Sequence, residues 1–235
     1  MKTISIVIPV YNENRYIDKF IVQLVKRLNK LRLEYELIIS ENGSRDDTLI
    51  KAKNLATRFK RIVVISNPKA DYGRAVKNGF ISAKGKFLVL FDLDYWDTNF
   101  ITKSLPLMKN FDAIVGSKRG LASQDSRSFT RRASTFIFSY VLKMVFGLKI
   151  SDTHGIKIIN RKKFNSIIRK CKMTRDIFDT ELLIRGGIEG ASIGELGVKV
   201  FEKRKSRSSI MKRALITVRD LYYLRSLLKK EYGQL

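Results

Sequence analysis

The chain has 235 residues, of which 44% are hydrophobic, enough to bury the core of one large domain. Its 47 Lys and Arg against 22 Asp and Glu give a formal net charge of +25, which favours phosphate-bearing partners: nucleic acid, anionic lipid or a nucleotide. Cys171 is the only cysteine and His154 the only histidine, which argues against an internal disulfide, a zinc cluster or a histidine-based triad and favours a reducing compartment.

The first half of the chain alternates apolar runs with amphipathic stretches. Strands are predicted at Ile4–Val10, Tyr35–Ser40, Ile62–Ile65, Phe87–Phe91 and Ala113–Val115, and helices at about 15–31, 46–59, 74–83 and 99–108. Ser44 and Asp47 predict a capping box before the second helix. This order predicts right-handed crossovers and a mainly parallel sheet with helices on both faces.

Polar residues follow four of the predicted strands, at the sheet edge where ligands of such folds bind. They are Tyr11 to Glu13, Glu41 to Ser44, Asn67 with Pro68, and Asp92 with Asp94. An extended backbone puts Asp92 and Asp94 on one side, where they repel unless a divalent cation lies between them and a phosphate. The pair therefore predicts Mg²⁺ or Mn²⁺ with a diphosphate; the alternative is two acids that cap a helix or face water.

Two glycine-rich nucleotide motifs are absent from the sequence. It contains neither a phosphate-binding loop ending in Gly-Lys-Ser/Thr nor a Gly-x-Gly-x-x-Gly run. A bound diphosphate would therefore be held by metal and basic side chains.

Four segments in order carry a family resemblance: Ile4–Glu13, Glu41–Thr48, Asp71–Gly79 and Asp92–Asp94. Together they resemble the inverting family 2 glycosyltransferases, whose α/β GT-A fold is Rossmann-like. Further segments resemble the polyprenyl-phosphate sugar synthases, typified by dolichyl-phosphate mannose synthase: 116–119, Arg131 with Ser134, 152–157 with Arg161, and 178–181. The resemblance covers roughly residues 3 to 210.

The resemblance implies a nucleotide-sugar donor. The implied donor-binding residues are Pro9, Tyr11, Glu13, Glu41, Asp71, Asp92, Asp94 and Arg204, of which Asp92 and Asp94 also bind the metal. Tyr11 offers a stacking face, and Glu13 a carboxylate for the base or ribose. Glu41 stands where the family has an Asp, which leaves the base preference open, and Trp96 replaces a Gln ligand of a related pattern.

The implied acceptor is a lipid monophosphate, which has a second pKa of about 6 and is already a nucleophile near neutral pH. The residues implied at the acceptor phosphate are Lys118, Arg119, Arg131 and Arg132, and those implied in catalysis are Asp94, Arg119, Arg131 and Glu181. A sugar hydroxyl would instead need Asp179 or Glu181 as a base. Otherwise these two are acids in the first turn of a helix, and Asp152 and Lys157 orient a loop or form an ion pair.

Two later segments are candidates for membrane contact. The apolar stretch from Ser134 to Leu148 resembles the interface helices of the polyprenyl-phosphate enzymes, or is a core helix. Met211 to Tyr232 predicts a basic amphipathic helix that rests on anionic lipid, or that packs against the domain or a partner subunit. We therefore divide the chain into a GT-A domain at 1–210 and a C-terminal helix at 211–235.

The sequence as a whole predicts a metal-dependent inverting transferase. It would move mannose or glucose from GDP-mannose or UDP-glucose onto a polyprenyl or dolichyl phosphate, peripherally at the cytoplasmic membrane face, with a membrane protein as a possible partner. One alternative is transfer to a saccharide or glycolipid hydroxyl in glycan assembly. Another is a non-catalytic module that uses its charge to bind nucleic acid.

Overall fold

Strands and helices alternate through the first half of the chain. The structure is a computed structural model that describes residues 3–117, 124–125, 129–148, 150–200 and 210–233. The strands are β1 (Ile4–Val10), β2 (Tyr35–Glu41), β3 (Ile62–Ser66), β4 (Phe87–Leu90), β5 (Ala113–Ser117), β6 (Gln124–Asp125), β7 (Lys157–Asn160), β8 (Ile193–Gly197) and β9 (Lys199–Val200). The helices are α1 (Ile17–Asn29), α2 (Thr48–Arg58), α3 (Tyr72–Ser82), α4 (Thr98–Leu107), α5 (Phe129–Phe146), α6 (Arg161–Lys170), α7 (Phe178–Ile188) and α8 (Ile210–Tyr232), and a 3₁₀ turn at Arg175–Ile177 precedes α7.

The main sheet has seven strands in the order β3-β2-β1-β4-β7-β5-β8. Six of them run parallel, and β7 runs antiparallel between β4 and β5. The predicted mainly parallel α/β sheet is therefore confirmed, while the reversed strand β7 was not predicted. Its first residue, Lys157, pairs with Leu90 on one side and Val115 on the other. The turn before β7 therefore lies beside the carboxyl ends of β4 and β5.

Helices cover both faces of this sheet. Ile4, Ile6 and Ile8 of β1 pack with α1, α2 and α4, whereas Val7 packs with α3, α6 and α7 on the opposite face. This division follows from the two-residue period of a strand. Strands buried on both faces are near-continuous apolar runs, which explains why the strand positions could be predicted from the sequence.

The capping box predicted before α2 is wrong. Helix α2 begins at Thr48 after Asp47, whose side chain makes no capping hydrogen bond. The Thr48 amide instead donates to Asp46 Oδ1 at 3.0 Å. Ser44 Oγ accepts from the Asn12 amide at 3.0 Å and so joins the β1–α1 loop to the β2–α2 loop. A long-range contact thus replaces the local one that the spacing favoured.

Helix α8 packs against the domain, which is one of the arrangements that the sequence left open. Leu221, Leu224 and Leu228 are buried against a cluster that includes Leu183 and Ile184 of α7. No helix in the described ranges combines the length and apolar character needed to cross a membrane. The division of the chain at residue 210 stays a prediction.

Packing of α8 through its leucines predicts a strong effect of truncating one of them. Leu224 is fully buried, so Leu224→Ala should lower the free energy of unfolding by about 2–5 kcal/mol. Val218 on the same helix is 66% exposed, so Val218→Ala serves as the control and should change stability by less than about 0.5 kcal/mol. Urea unfolding of both variants measures the difference; equal stabilities would contradict the packing of α8.

Candidate active site

Asp92 and Asp94 lie just past the end of β4 and point away from the core. Phe91 before them and Leu93 between them are buried, while both aspartates are half-buried. The backbone then folds into a turn in which Asp92 and Tyr95 exchange two hydrogen bonds, at 3.2 and 3.3 Å. Both carboxylates therefore lie in a turn past the end of β4, where the alternation of an extended strand does not by itself place them on one side.

Carboxylates concentrate around Tyr95, although the chain as a whole is strongly basic. Burial of its phenol raises the pKa of Tyr95, and the nearby negative charges of Asp97, Asp92 and Asp152 raise it further. Asp152 comes from the turn before β7, so the sheet order has brought it beside the end of β4. The edge at β4 is thus a region of negative charge that would attract a cation.

The residues at this edge fit a divalent cation only in part. Asp92 and Asp94 offer carboxylate oxygens, the ligands that Mg²⁺ and Mn²⁺ prefer. Across the described ranges, no group of three or more His, Cys, Asp or Glu side chains is arranged to hold a metal. A cation bound by this pair would therefore take its remaining ligands from substrate oxygens and water, as Mg²⁺ in nucleotide sites does. Trp96 follows Asp94 by two residues. Its indole nitrogen is buried and has no hydrogen-bond acceptor among the described residues.

Glu41 is fixed at the end of β2 by its neighbours. It is almost fully buried; its Oε1 accepts from the Ser44 amide, and its Oε2 accepts from the Ser66 hydroxyl at 2.8 Å. Asn67 also donates to the Glu41 carbonyl oxygen at 2.7 Å. Because a carboxylate can accept about four hydrogen bonds, Glu41 keeps capacity for a ligand while its position is set. Ser66 was missed by sequence analysis, which singled out only the next residue, Asn67.

The loop after β1 presents Tyr11 and Glu13. Tyr11 is 41% exposed, and Pro9 and Glu13 are half-buried. The Glu13 amide donates to Thr48 Oγ1 at 2.7 Å, and Asn12 adopts a left-handed backbone with φ of 52°. These contacts hold the loop against the start of α2 and leave the Tyr11 ring available for stacking.

Asp71 caps α3 and also binds a distant segment. Its Oδ1 accepts from the amides of Arg74 at 2.9 Å and Arg175 at 3.1 Å. Its own amide donates to Asn42 Oδ1 at 2.7 Å. Asp71 therefore joins the end of β2, the start of α3 and the turn before α7, three segments far apart in sequence.

Asp179 and Glu181, the two candidate bases, are fully buried in the first turn of α7. Asp179 lies 3.2 Å from Lys157 Nζ through Oδ1 and accepts from the Tyr72 hydroxyl at 2.9 Å through Oδ2. Lys157 thus has Asp179 as its ion-pair partner, and the suggested pair with Asp152 is not the one formed. Because Lys157 is itself fully buried, the pair is removed from solvent on both sides.

Glu181 makes more contacts than Asp179. Its Oε1 accepts from Arg185 Nε at 2.7 Å, and its Oε2 accepts from the Met173 amide at 2.6 Å and the Lys172 amide at 2.9 Å. The structure therefore holds Glu181 in a buried network rather than at the sheet edge. The signal in the sequence was its i,i+4 spacing from Arg185, which sequence analysis did not use.

The predicted acceptor cations are only partly covered by the structure. Lys118, Arg119 and Arg204 lie outside the described residues. Arg131 falls in the first turn of α5, where the backbone alone is described, and Arg132 beside it is exposed. Their predicted contacts with phosphate therefore stay predictions.

Two glycines bring the turn before β7 against β5. A Cβ atom added to Gly155 would lie 2.3 Å from the carbonyl oxygen of Gly116, and one added to Gly116 would lie 2.8 Å from Ile156. The Gly116 amide donates to the Ile156 carbonyl oxygen at 2.7 Å. Residues 152–155 therefore sit next to the end of β5, from which the chain continues toward Lys118.

Comparison with known proteins identifies the family. The model of the family described as glycosyl transferase family 2 matches residues 5–168. A dolichyl-phosphate beta-glucosyltransferase of Dictyostelium discoideum is 25% identical over 242 residues, spanning 94% of this chain and 73% of the relative. A second such enzyme, from Trichomonas vaginalis, is 25% identical over 224 residues, spanning 88% of this chain and 68% of the relative.

A solved structure shows the same fold. Glucosyl-3-phosphoglycerate synthase of Mycobacterium tuberculosis, crystallised with Mn²⁺, UDP and phosphoglyceric acid, superimposes with a TM-score of 0.71 at 19% identity. The match covers 97% of this chain and 78% of the synthase. It confirms the predicted GT-A fold. Since the family model spans most of the chain, this protein is a glycosyltransferase and belongs to glycosyl transferase family 2.

Proposed function

We propose that this enzyme transfers a hexose from a nucleotide sugar to a polyprenyl or dolichyl phosphate with inversion at the anomeric carbon. The observation that carries the proposal is the state of Asp179 and Glu181: both are fully buried and engaged with cations. A hydroxyl acceptor needs a base within hydrogen-bonding reach, whereas an ionised phosphate needs none. The names of the two curated relatives, dolichyl-phosphate beta-glucosyltransferases, support the same acceptor. The non-catalytic nucleic-acid-binding interpretation loses its support, since the chain is a glycosyltransferase.

In this proposal the donor binds along the ends of β1 and β2. Tyr11 stacks on the base, while Glu13 and the fixed carboxylate of Glu41 accept hydrogen bonds from base or ribose. Pro9 shapes the same surface, Asp71 completes the donor site, and Arg204 contacts the sugar diphosphate. UDP-glucose is the first candidate, because the relatives are named as glucosyltransferases and the synthase was crystallised with UDP. GDP-mannose is the second.

Asp92 and Asp94 are the proposed metal ligands. Crystals of the synthase hold Mn²⁺ in one case and Mg²⁺ in another, each with UDP. A divalent cation bound by this pair would neutralise charge on the departing diphosphate. The carboxylates themselves would keep the diphosphate oriented by setting where that positive charge lies.

The acceptor phosphate is positioned by cations in this proposal. Its oxygens would be held, without being protonated, by Lys118, Arg119, Arg131 and Arg132. Guanidinium groups suit this role because each can donate two parallel hydrogen bonds to a phosphate. An acceptor oxygen then attacks the anomeric carbon as the bond to the diphosphate breaks, which inverts the configuration. We infer that Glu181 stabilises the protein and is not a base.

The acceptor's lipid chain requires an apolar approach. Helix α5 exposes Phe136, Ile137, Tyr140 and Met144. These residues recur on one side of the helix, as in helices that lie in the surface of a membrane. We propose peripheral association of this surface with the cytoplasmic face of a membrane.

The metal site yields a first functional prediction. Asp94→Asn should abolish sugar transfer while keeping the fold, because it removes charge from the cation ligand and conserves its volume. Asp112→Asn is the control: Asp112 precedes β5 at the opposite edge of the sheet, and the bond that its Oδ2 accepts from the Ser192 amide at 3.0 Å can also be accepted by asparagine. Transfer from labelled UDP-glucose with and without added Mn²⁺ is the measurement. If Asp92→Asn and Asp94→Asn both work without metal, the assignment is wrong.

The acceptor class can be tested through the Lys157–Asp179 pair. Asp179→Asn alone leaves a buried lysine without its ion pair, which should cost about 3–5 kcal/mol of stability. The double variant Asp179→Asn with Lys157→Met removes both charges and should restore stability and transfer to a short polyprenyl phosphate. If Asp179 were instead the catalytic base, the double variant would regain stability, but its transfer rate would stay reduced by about 10²–10⁴-fold.

Arg131→Ala also tests the acceptor class, by removing a proposed phosphate-binding cation in place of a candidate base. Loss of a charge-assisted contact to phosphate should weaken acceptor use roughly ten- to a hundredfold, with donor binding unchanged. Turnover on a saccharide and none on any polyprenyl phosphate would instead favour the hydroxyl-acceptor alternative.

Introducing one negative charge on the exposed side of α5 tests its contact with lipid. Ile137 is 61% exposed, and Ile137→Glu should release the enzyme from liposomes and slow transfer to long-chain acceptors. Ile50 on α2 is 58% exposed, which makes Ile50→Glu a matched control that should leave both unchanged. Liposome co-sedimentation of the two variants decides; equal release would contradict the proposed surface.

A further inference from the structure

Three cations, Lys172, Arg175 and Arg219, lie where α8 meets the segment that precedes α7. A cavity of about 210 Å³ opens there, lined by residues that include Lys172, Thr174 and Arg175 on one side and Arg219 and Tyr223 on the other. Sites for drug-sized ligands usually occupy about 300–1,000 Å³. This cavity is therefore sized for a phosphate-bearing group and not for a nucleotide.

Two of the three cations that line the cavity are paired with carboxylates. Lys172 pairs with Glu231 at 2.6 Å, and Arg219 pairs with the lining residue Asp220 at 3.3 Å. For the Arg175 side chain, the described part of the chain provides no ion-pair partner. Arg175 is therefore the lining cation that could pair with the single negative charge of a phosphodiester.

The surroundings of the cavity are amphipathic. On α8, Tyr223 at the cavity rim is 58% exposed, and the preceding residue, Tyr222, is 78% exposed. Exposed tyrosines with flanking cations are typical of surfaces that lie at the boundary between lipid headgroups and acyl chains. A free anion would require the cations but not these aromatic neighbours.

We propose that this cavity binds the phosphodiester headgroup of an anionic lipid. Arg175 supplies the charge that the phosphodiester compensates, Thr174 a hydroxyl donor, and Tyr223 the contact with glycerol and acyl carbons. The Arg175 amide donates to Asp71 Oδ1 at 3.1 Å, so the wall of the cavity also holds the cap of α3. The cavity wall thus contacts Asp71 of the proposed donor site, and the test therefore measures lipid binding and not sugar transfer.

Arg175 can be replaced by glycine without straining the backbone. Its backbone φ is 58°, a left-handed conformation that glycine adopts without steric cost, so Arg175→Gly removes the cation while relieving the backbone. Arg32, in the loop between α1 and β2, is exposed and has a φ of 53°. Arg32→Gly is therefore a control matched in residue type, charge and backbone, but remote from the cavity.

The experiment titrates the full-length protein with soluble dihexanoyl phosphatidylglycerol below its micellar concentration. Affinity is read from the rise in melting temperature with ligand concentration. Arg175→Gly should weaken binding about fivefold, the effect of one well-placed cation, and Arg32→Gly should not. Tyr223→Ala should weaken it further than Tyr222→Ala, because only Tyr223 lines the cavity.

Two parallel arms distinguish the source of the phosphate. Dihexanoyl phosphatidylcholine, whose charge is cancelled by choline, and inorganic phosphate should each bind more weakly than the anionic lipid. Equal binding of inorganic phosphate would overturn the assignment to a lipid. Equal affinities of Arg175→Gly and Arg32→Gly would overturn the cavity as the site.

Discussion

The structure around the active site depends on one buried cation, Arg185. Burial lowers the pKa of its guanidinium, but hydrogen bonds to Glu231 and Glu181 raise it by more, so the charge is retained. A buried charge without partners would cost several kcal/mol. Arg185 therefore fixes where its partners lie: Glu181 on its own helix and, at 2.6 Å, Glu231 near the end of α8. Glu181 then holds the amides of Lys172 and Met173, two residues before the segment that binds Asp71.

This constraint bears on the chemistry because Glu181 is one of the two acids considered as a base. The other, Asp179, is held by a second buried cation, Lys157. Glu181 accepts from Arg185 and two amides, while Asp179 pairs with Lys157 and accepts from Tyr72. Because these contacts hold both carboxylates inside the protein, neither is presented to an acceptor hydroxyl. In the proposed function the acceptor arrives already ionised and needs no base.

Much of the fold could be predicted from the sequence, because strands buried on both faces are continuous apolar runs. The predicted β1 matches the observed Ile4–Val10, and the other predicted strands end within two residues of the observed ones. The antiparallel β7 escaped prediction because a four-residue strand carries little pattern and its direction is set by its neighbours. Ser44 and Lys157 were assigned local partners, whereas tertiary contacts with Asn12 and Asp179 decide their positions. The partners of Glu181 could have been found in part, from its spacing to Arg185.

In the proposed function one site holds two phosphate-bearing substrates, which would account for the distribution of charge. Asp92, Asp97 and Asp152 gather around Tyr95, and alone they would repel a diphosphate. In the proposed function the donor therefore binds where a cation offsets these carboxylates, while the acceptor phosphate is drawn to Arg and Lys residues beyond β5. Opposite charges at neighbouring strand ends would thus sort two similar anionic groups to different sides of the anomeric carbon. In the proposed function, a uniformly basic edge would bind both groups without distinguishing the leaving group from the nucleophile, whereas the acidic end of β4 would separate the two.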